Sequence, residues 1–154
     1  MTIEDDIAFF ERVPMLNLLG RGALRILAIG AESRYVHGGE VLFSSGEQAD
    51  GAYVIQEGAF NLAPHPPDSG ENFTVGVGTL LGEFALITET TRRATATAVQ
   101  PSTVLRIPRS LFLKMLDSFP DSARKLRDIL AAQTDQSVRD IHNVRAVLDA
   151  HERK

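Results

Sequence analysis

The chain has 154 residues, of which 44% are hydrophobic, with a formal net charge of −4 and no cysteine. That is the size of one ordinary domain with enough apolar material for a core, and it excludes a disulfide framework or a cysteine-ligated metal. An acidic chain of mixed charge gains little from the phosphate neutralisation that dominates polynucleotide affinity, so nucleic acid is disfavoured as a partner.

The opening residues, Met1-Thr2-Ile3-Glu4-Asp5-Asp6, are acidic and lack the basic and apolar regions of a secretory signal. No apolar run nears the ~18 residues of a membrane-spanning helix. With the absence of cysteine, this points to a cytoplasmic protein with no membrane partner. Ile7, Phe10, Met15, Leu18, Leu19, Leu24, Leu27 and Ala28 recur at three- and four-residue spacings, which predicts helix over about 2–29. Pro14, Gly20 and Gly22 divide it into short pieces.

After Gly30, short runs of strand formers alternate with turn residues: 34–36, 41–43, 53–55, 60–62, 73–75, 96–99 and 104–107. Many short strands with frequent turns predict a sandwich or barrel. The glycines at 39, 46, 51 and 58 read as turn residues, and Pro64 to Gly70 reads as an exposed hairpin tip. Gly82-Glu83-Phe84-Ala85-Leu86-Ile87 breaks the alternation and is predicted to form a single helical turn between strands. From Pro108 the pattern is helical again: Leu111, Phe112, Met115 and Leu116 mark one helix. A second starts at Pro120 and runs to about Ala150, with a polar gap from Gln133 through Thr134 to Ser137. The organisation expected is a helical segment 1–30, a β region 31–107 and C-terminal helices 108–154, all of one domain.

No P-loop, nucleophile elbow or His-Glu-x-x-His is present. Gly76, Gly78 and Gly82 miss the dinucleotide fingerprint by one residue and lack its crossover helix. His37, His65, His142 and His151 are scattered over different elements, which argues against a metal centre or a catalytic triad. Binding, and not bond breaking, is the expected activity; a hydrolase on the same scaffold is the remote alternative.

Gly82, Glu83 and Arg92 carry the expected chemistry. A turn starting at Gly82 presents backbone N–H groups suited to phosphate oxygens, and a glycine lets a ligand approach closely. Arg92 offers a bidentate, charge-assisted fork to the same phosphate. Glu83 is acceptor-only when ionised and suits a sugar hydroxyl. A ribose phosphate satisfies all three.

The run Gly82-Glu83-Phe84-Ala85-Leu86-Ile87, then four residues, then Arg92-Arg93-Ala94-Thr95, resembles the phosphate-binding cassette of cyclic-nucleotide-binding domains, as in the regulatory subunit of protein kinase A, the catabolite activator protein and cyclic-nucleotide-gated channels. Val13-Pro14-x-Leu16, the stretch from Gly39-Glu40 to Glu57-Gly58, and Val104-Leu105-x-Ile107 with Phe112 fit the same family in order. The resemblance implies an eight-stranded jelly-roll β-barrel, mainly β with flanking helices, whose C-terminal helix is a lid. It implies a ligand site of Gly82, Glu83, Phe84, Ala85, Arg92, Arg93 and Ala94. Glu83 takes the ribose 2′-hydroxyl, and Arg92 takes the cyclic phosphate with backbone N–H groups near Ala85. A side chain of the Gln133–Ser137 gap reaches the purine edge. Arg93 stands where the family carries Ala, Ser or Thr, the position that tracks cAMP against cGMP. It is a second phosphate cation, or turns to solvent, or blocks the pocket; a one-residue slip would make it the phosphate ligand in place of Arg92.

The expectation is a stand-alone sensor module for a cyclic nucleotide, cAMP before cGMP, with no cofactor, no metal and an unidentified protein partner. A homodimer through the C-terminal helix is left open. The alternative function is a protein-interaction domain that keeps the barrel and has lost the ligand.

Overall fold

The computed structural model describes residues 2–64 and 70–131. The hairpin tip, three of the four histidines, the Gln133–Ser137 gap and the tail beyond 131 lie outside the described residues.

Helix α1 (Ile3–Phe10) starts at a reciprocal cap. The Thr2 hydroxyl accepts the Asp5 N–H at 3.2 Å, and the Asp5 carboxylate accepts the Thr2 N–H at 3.0 Å. A 3-10 turn at Leu16–Leu18 leads to α2 (Arg21–Gly30). The two helices turn Ile7, Phe10, Leu24 and Leu27 inward. Across their exposed edge Arg21 and Arg25 both pair with Glu4.

Ten strands follow among the described residues: β1 (Glu32–Val36), β2 (Val41–Phe43), β3 (Gln48–Ala49), β4 (Gly51–Glu57), β5 (Phe60–Pro64), β6 (Phe73–Val75), β7 (Leu80–Leu81), β8 (Thr90–Thr91), β9 (Ala94–Ala98) and β10 (Ser102–Pro108). Eight of them make two four-stranded antiparallel sheets, ordered β1-β10-β4-β7 and β2-β9-β5-β6, and β3 pairs with β8. This is the mainly β jelly-roll class expected. The strands that sequence patterning misses are β3, β7 and β8. Each has two residues, too few for an alternation to show.

The chain closes with α3 (Arg109–Ser118) and α4 (Pro120–Ala131). α4 returns to the N-terminal helices: Ser122 and Leu126 are buried, and the Ser122 hydroxyl donates to the Leu19 carbonyl at 2.9 Å.

The sheet β1-β10-β4-β7 has a core on each side. Ala52, Val54, Leu105 and Ile107 face the helices, packing with Leu24, Leu27, Phe112, Met115 and Leu116. Tyr53, Ile55, Val104 and Leu81 face the second sheet, packing with Phe43, Phe60, Ala96 and Ala98. This explains why β4 shows no polar alternation from Gly51 to Ile55, since both of its faces are covered. Gly51 belongs to that strand and is not only a turn residue. A Cβ there would lie 2.3 Å from the Ile107 carbonyl oxygen, so the close β4–β10 apposition requires glycine.

Candidate functional site

A cavity of about 170 Å³ opens at the β3–β8 end of the fold. Its walls include Gly82, Glu83, Phe84, Ala85, Arg92, Arg93 and Ala94, together with Phe43, Ala49, Leu62, Leu81, Thr90 and Thr91. All seven residues singled out in the sequence therefore border one space. Phe43, Leu62 and the two threonines were missed, because nothing in their local pattern separates them from ordinary strand residues.

The turn is a 3-10 helix at Glu83–Leu86 with Gly82 before it. Gly82 adopts φ +82°, ψ +44°, the left-handed region that favours glycine. Its backbone also borders the Arg92 guanidinium: a Cβ at 82 would sit 2.3 Å from Arg92 Nη1. The Ala85 N–H donates to the Gly82 carbonyl at 3.0 Å, closing the turn. An anion reaching that N–H would share it with the turn.

Arg92 is held by its backbone as well as its side chain. Beyond the β3–β8 pair, the Arg92 N–H donates to the Glu47 carbonyl and its own carbonyl accepts the Gly46 N–H, both at 2.8 Å. The guanidinium lies over the Phe43 ring at 4.4 Å and the Tyr53 ring at 5.5 Å from their centroids, and those rings stack 6.0 Å apart. Nη2 donates to the Gly51 carbonyl at 2.9 Å. Nη1 is buried without a hydrogen-bond partner among the described residues.

Arg92 is a charged side chain only 8% exposed. Burial pushes its pKa below the ordinary arginine value, opposed by the fields of Tyr53, Asp50 and Glu47. A buried cation with an unused donor is costly unless something satisfies it. An anionic oxygen beside Gly82 would do so.

Arg93, the next residue, is exposed at the cavity rim. The alternation along the chain turns one arginine inward and the other outward. Glu83 is half-buried. It borders both this cavity and a wider groove of about 640 Å³ formed by residues such as Met15, Leu18, Val77 and Ile129. The groove is larger, and none of the described residues lining it is a buried cation. Ile129 of α4 reaches the groove. Among the described residues no cluster of three or more His, Asp or Glu could hold a metal ion. No described helix is long and apolar enough to cross a membrane.

The fold is an antiparallel jelly roll with a cavity at one end and a buried cation in its wall. The profile of the cyclic nucleotide-binding domain matches residues 33–119, more than half of the chain, and the chain belongs to that family. It is similar to the solved structure of a cyclic nucleotide-binding-like protein from Brucella abortus, with 40% identity, a TM-score of 0.64, and coverage of 73% of this chain and 98% of that one. It also shares the fold of the sensor domain of the transcriptional regulator DNR from Pseudomonas aeruginosa, at TM-score 0.71 and 20% identity over 84% of this chain and 88% of that one. Among curated proteins, a lysophospholipase NTE1 of Chaetomium globosum is 30% identical over 121 residues, 77% of this chain. The chain spans 8% of that protein's length and 31% of a Rhodopseudomonas palustris relative that is 29% identical over 127 residues, 82% of this chain.

Proposed function

We propose that this domain is a regulatory sensor for a cyclic nucleotide whose phosphate pairs with Arg92 and whose ribose hydroxyl is accepted by Glu83. The observation that carries the reading is the buried Arg92 guanidinium, with Nη1 lacking a partner among the described residues beside a glycine whose missing Cβ leaves room for it. Phe43, Leu62, Leu81 and Phe84 supply apolar wall for the base and sugar.

The expected nucleotide is cAMP before cGMP. Arg93 at the rim is a donor without any acceptor, and both purines offer it acceptors, N7 in adenine and N7 with O6 in guanine, so the preference is read from the titration. Binding is the whole biochemical act: the nucleotide favours one arrangement of the domain, which a partner reads.

The test is isothermal titration of cAMP and of cGMP into protein that has been unfolded, freed of carried-over nucleotide and refolded. Saturable binding near or below micromolar, tighter for cAMP, is the expected result. A folded sample that gives neither heat nor a thermal shift with either nucleotide would refute the reading and favour a protein-interaction domain. Tighter binding of cGMP would refute the base assignment alone.

A further inference from the structure

Arg109 is the first residue of α3, and Pro108 before it supplies no side-chain cap. A cation at a helix N-terminus opposes the helix dipole. A locally unfavourable choice of this kind calls for a compensating role elsewhere, and the side chain shows one. Arg109 Nε donates to the Ala85 carbonyl at 2.9 Å, and Nη2 donates to the Ala49 carbonyl. Its backbone N–H donates to the Asp50 carbonyl at 2.7 Å. Ala85 and Ala49 border the ligand cavity from two different elements, the 3-10 turn and β3.

The corner Ala49-Asp50-Gly51 is thereby shared. Its first two carbonyls accept N–H groups of Arg109, and the third accepts Nη2 of Arg92. The Asp50 carboxylate accepts Arg106 Nη2 at 2.8 Å from β10. A planar guanidinium can bridge two carbonyls at a fixed separation, which an ammonium cannot.

We infer that Arg109 is a positioning residue: it fixes the separation of two walls of the cavity and ties that separation to the start of α3. Arg109 is not itself among the described residues that line the cavity. Its effect on nucleotide affinity rests on the binding reading above, whereas the clamp itself does not.

The test compares the full chain with Arg109→Met, which keeps the apolar stem and removes every side-chain donor, and Arg109→Lys, which keeps the charge without the fork. Without nucleotide, amide hydrogen exchange is expected to quicken in residues 47–51 and 83–88 of Arg109→Met, and less so in Arg109→Lys. Exchange in α1 and α2 should stay at the wild-type rate. Should the methionine variant fail to fold, the lysine variant decides by the same two segments. Unchanged exchange there, or a uniform rise across the chain, overturns the clamp. With cAMP, Arg109→Met should bind roughly tenfold more weakly, about 1.4 kcal/mol, with partial recovery in Arg109→Lys. Quickened exchange with unchanged affinity overturns the link to the ligand. A wild-type chain that binds no nucleotide refutes the binding reading, and the exchange result still decides the clamp.

Discussion

The two sides of the sheet β1-β10-β4-β7 are packed on different principles. Towards the helices, Val54, Leu105 and Ile107 meet Leu27, Phe112 and Met115, and that cluster is apolar throughout. Towards the second sheet, Tyr53 stacks with Phe43, and the Arg92 guanidinium is laid over both rings with one nitrogen unpartnered among the described residues. The first side gains free energy from burial, and its buried polar side chain, Ser122, is satisfied by the Leu19 carbonyl. The second carries the desolvation of a cation that the described residues only partly relieve. The helix side is therefore where stability is concentrated, and the inner side is where a ligand has something to supply.

The comparison breaks most visibly at Phe112, which is fully buried. Phe112→Ala should destabilise the fold by about 3–5 kcal/mol in denaturant melts, with nucleotide affinity per folded molecule unchanged. If the affinity fell as steeply as the stability, the two sides would not be separable.

Arg92→Ala is the mirror experiment. Hydrogen bonds to charged groups are worth ~1.5–3 kcal/mol each, so titration should show cyclic nucleotide binding weakened by about 10- to 100-fold or more. Stability should fall by less than in Phe112→Ala, because the variant loses the bond to the Gly51 carbonyl and the contact with the two rings but also the cost of a buried unpartnered donor. A stability loss like that of Phe112→Ala would make Arg92 a structural residue instead.

Gly82→Ala sharpens the same side. A side chain at positive φ costs roughly 1–2 kcal/mol, and the new Cβ would stand 2.3 Å from Arg92 Nη1, forcing the guanidinium to move. Affinity should fall, though no further than in Arg92→Ala, and the double variant should bind no worse than Arg92→Ala alone. Additive losses in that cycle would show that the two residues act separately.

Much of this division was readable before the structure. The seven longer strands and the first three helices announce themselves through period-two and three-four spacing. The turn at Glu83 shows itself by breaking the alternation, and its link to Arg92 rests on their complementary chemistry and on a family resemblance. What was illegible depends on distant backbone. Nothing local marks Phe43 and Tyr53 as a platform for Arg92, or the carbonyls of Ala49 and Gly51 as acceptors for arginines 60 and 41 residues away. Gly51 read as a turn because the sequence does not show the Ile107 carbonyl lying against it. For Arg109 there was a faint signal, a cation directly after a proline at a helix start, where an acidic or capping residue is the favourable choice.

The smallest effect concerns pH. The hydrogen bond from Arg106 holds the Asp50 carboxyl below its ordinary range, and desolvation opposes it. A folded pKa below the unfolded one gives stability that is present above roughly pH 3.9, the unfolded value, and is lost as pH falls through the folded value. Asp50 is largely exposed, so solvent screening keeps this contribution small. In acid melts, Asp50→Asn should lose slightly less stability than the wild type between pH 5 and the acid limit. A steeper loss in the variant would contradict the sign.

The central claim is that the buried guanidinium of Arg92 meets the anion of the ligand. The most direct measurement follows the nitrogen-15 side-chain resonances of the arginines during a cAMP titration, with Arg92 assigned by its absence in Arg92→Ala. The account predicts that the Arg92 signals shift with the same saturation curve as the binding heat, by more than those of Arg93 or Arg106. Saturable binding with the Arg92 resonances unmoved would contradict it.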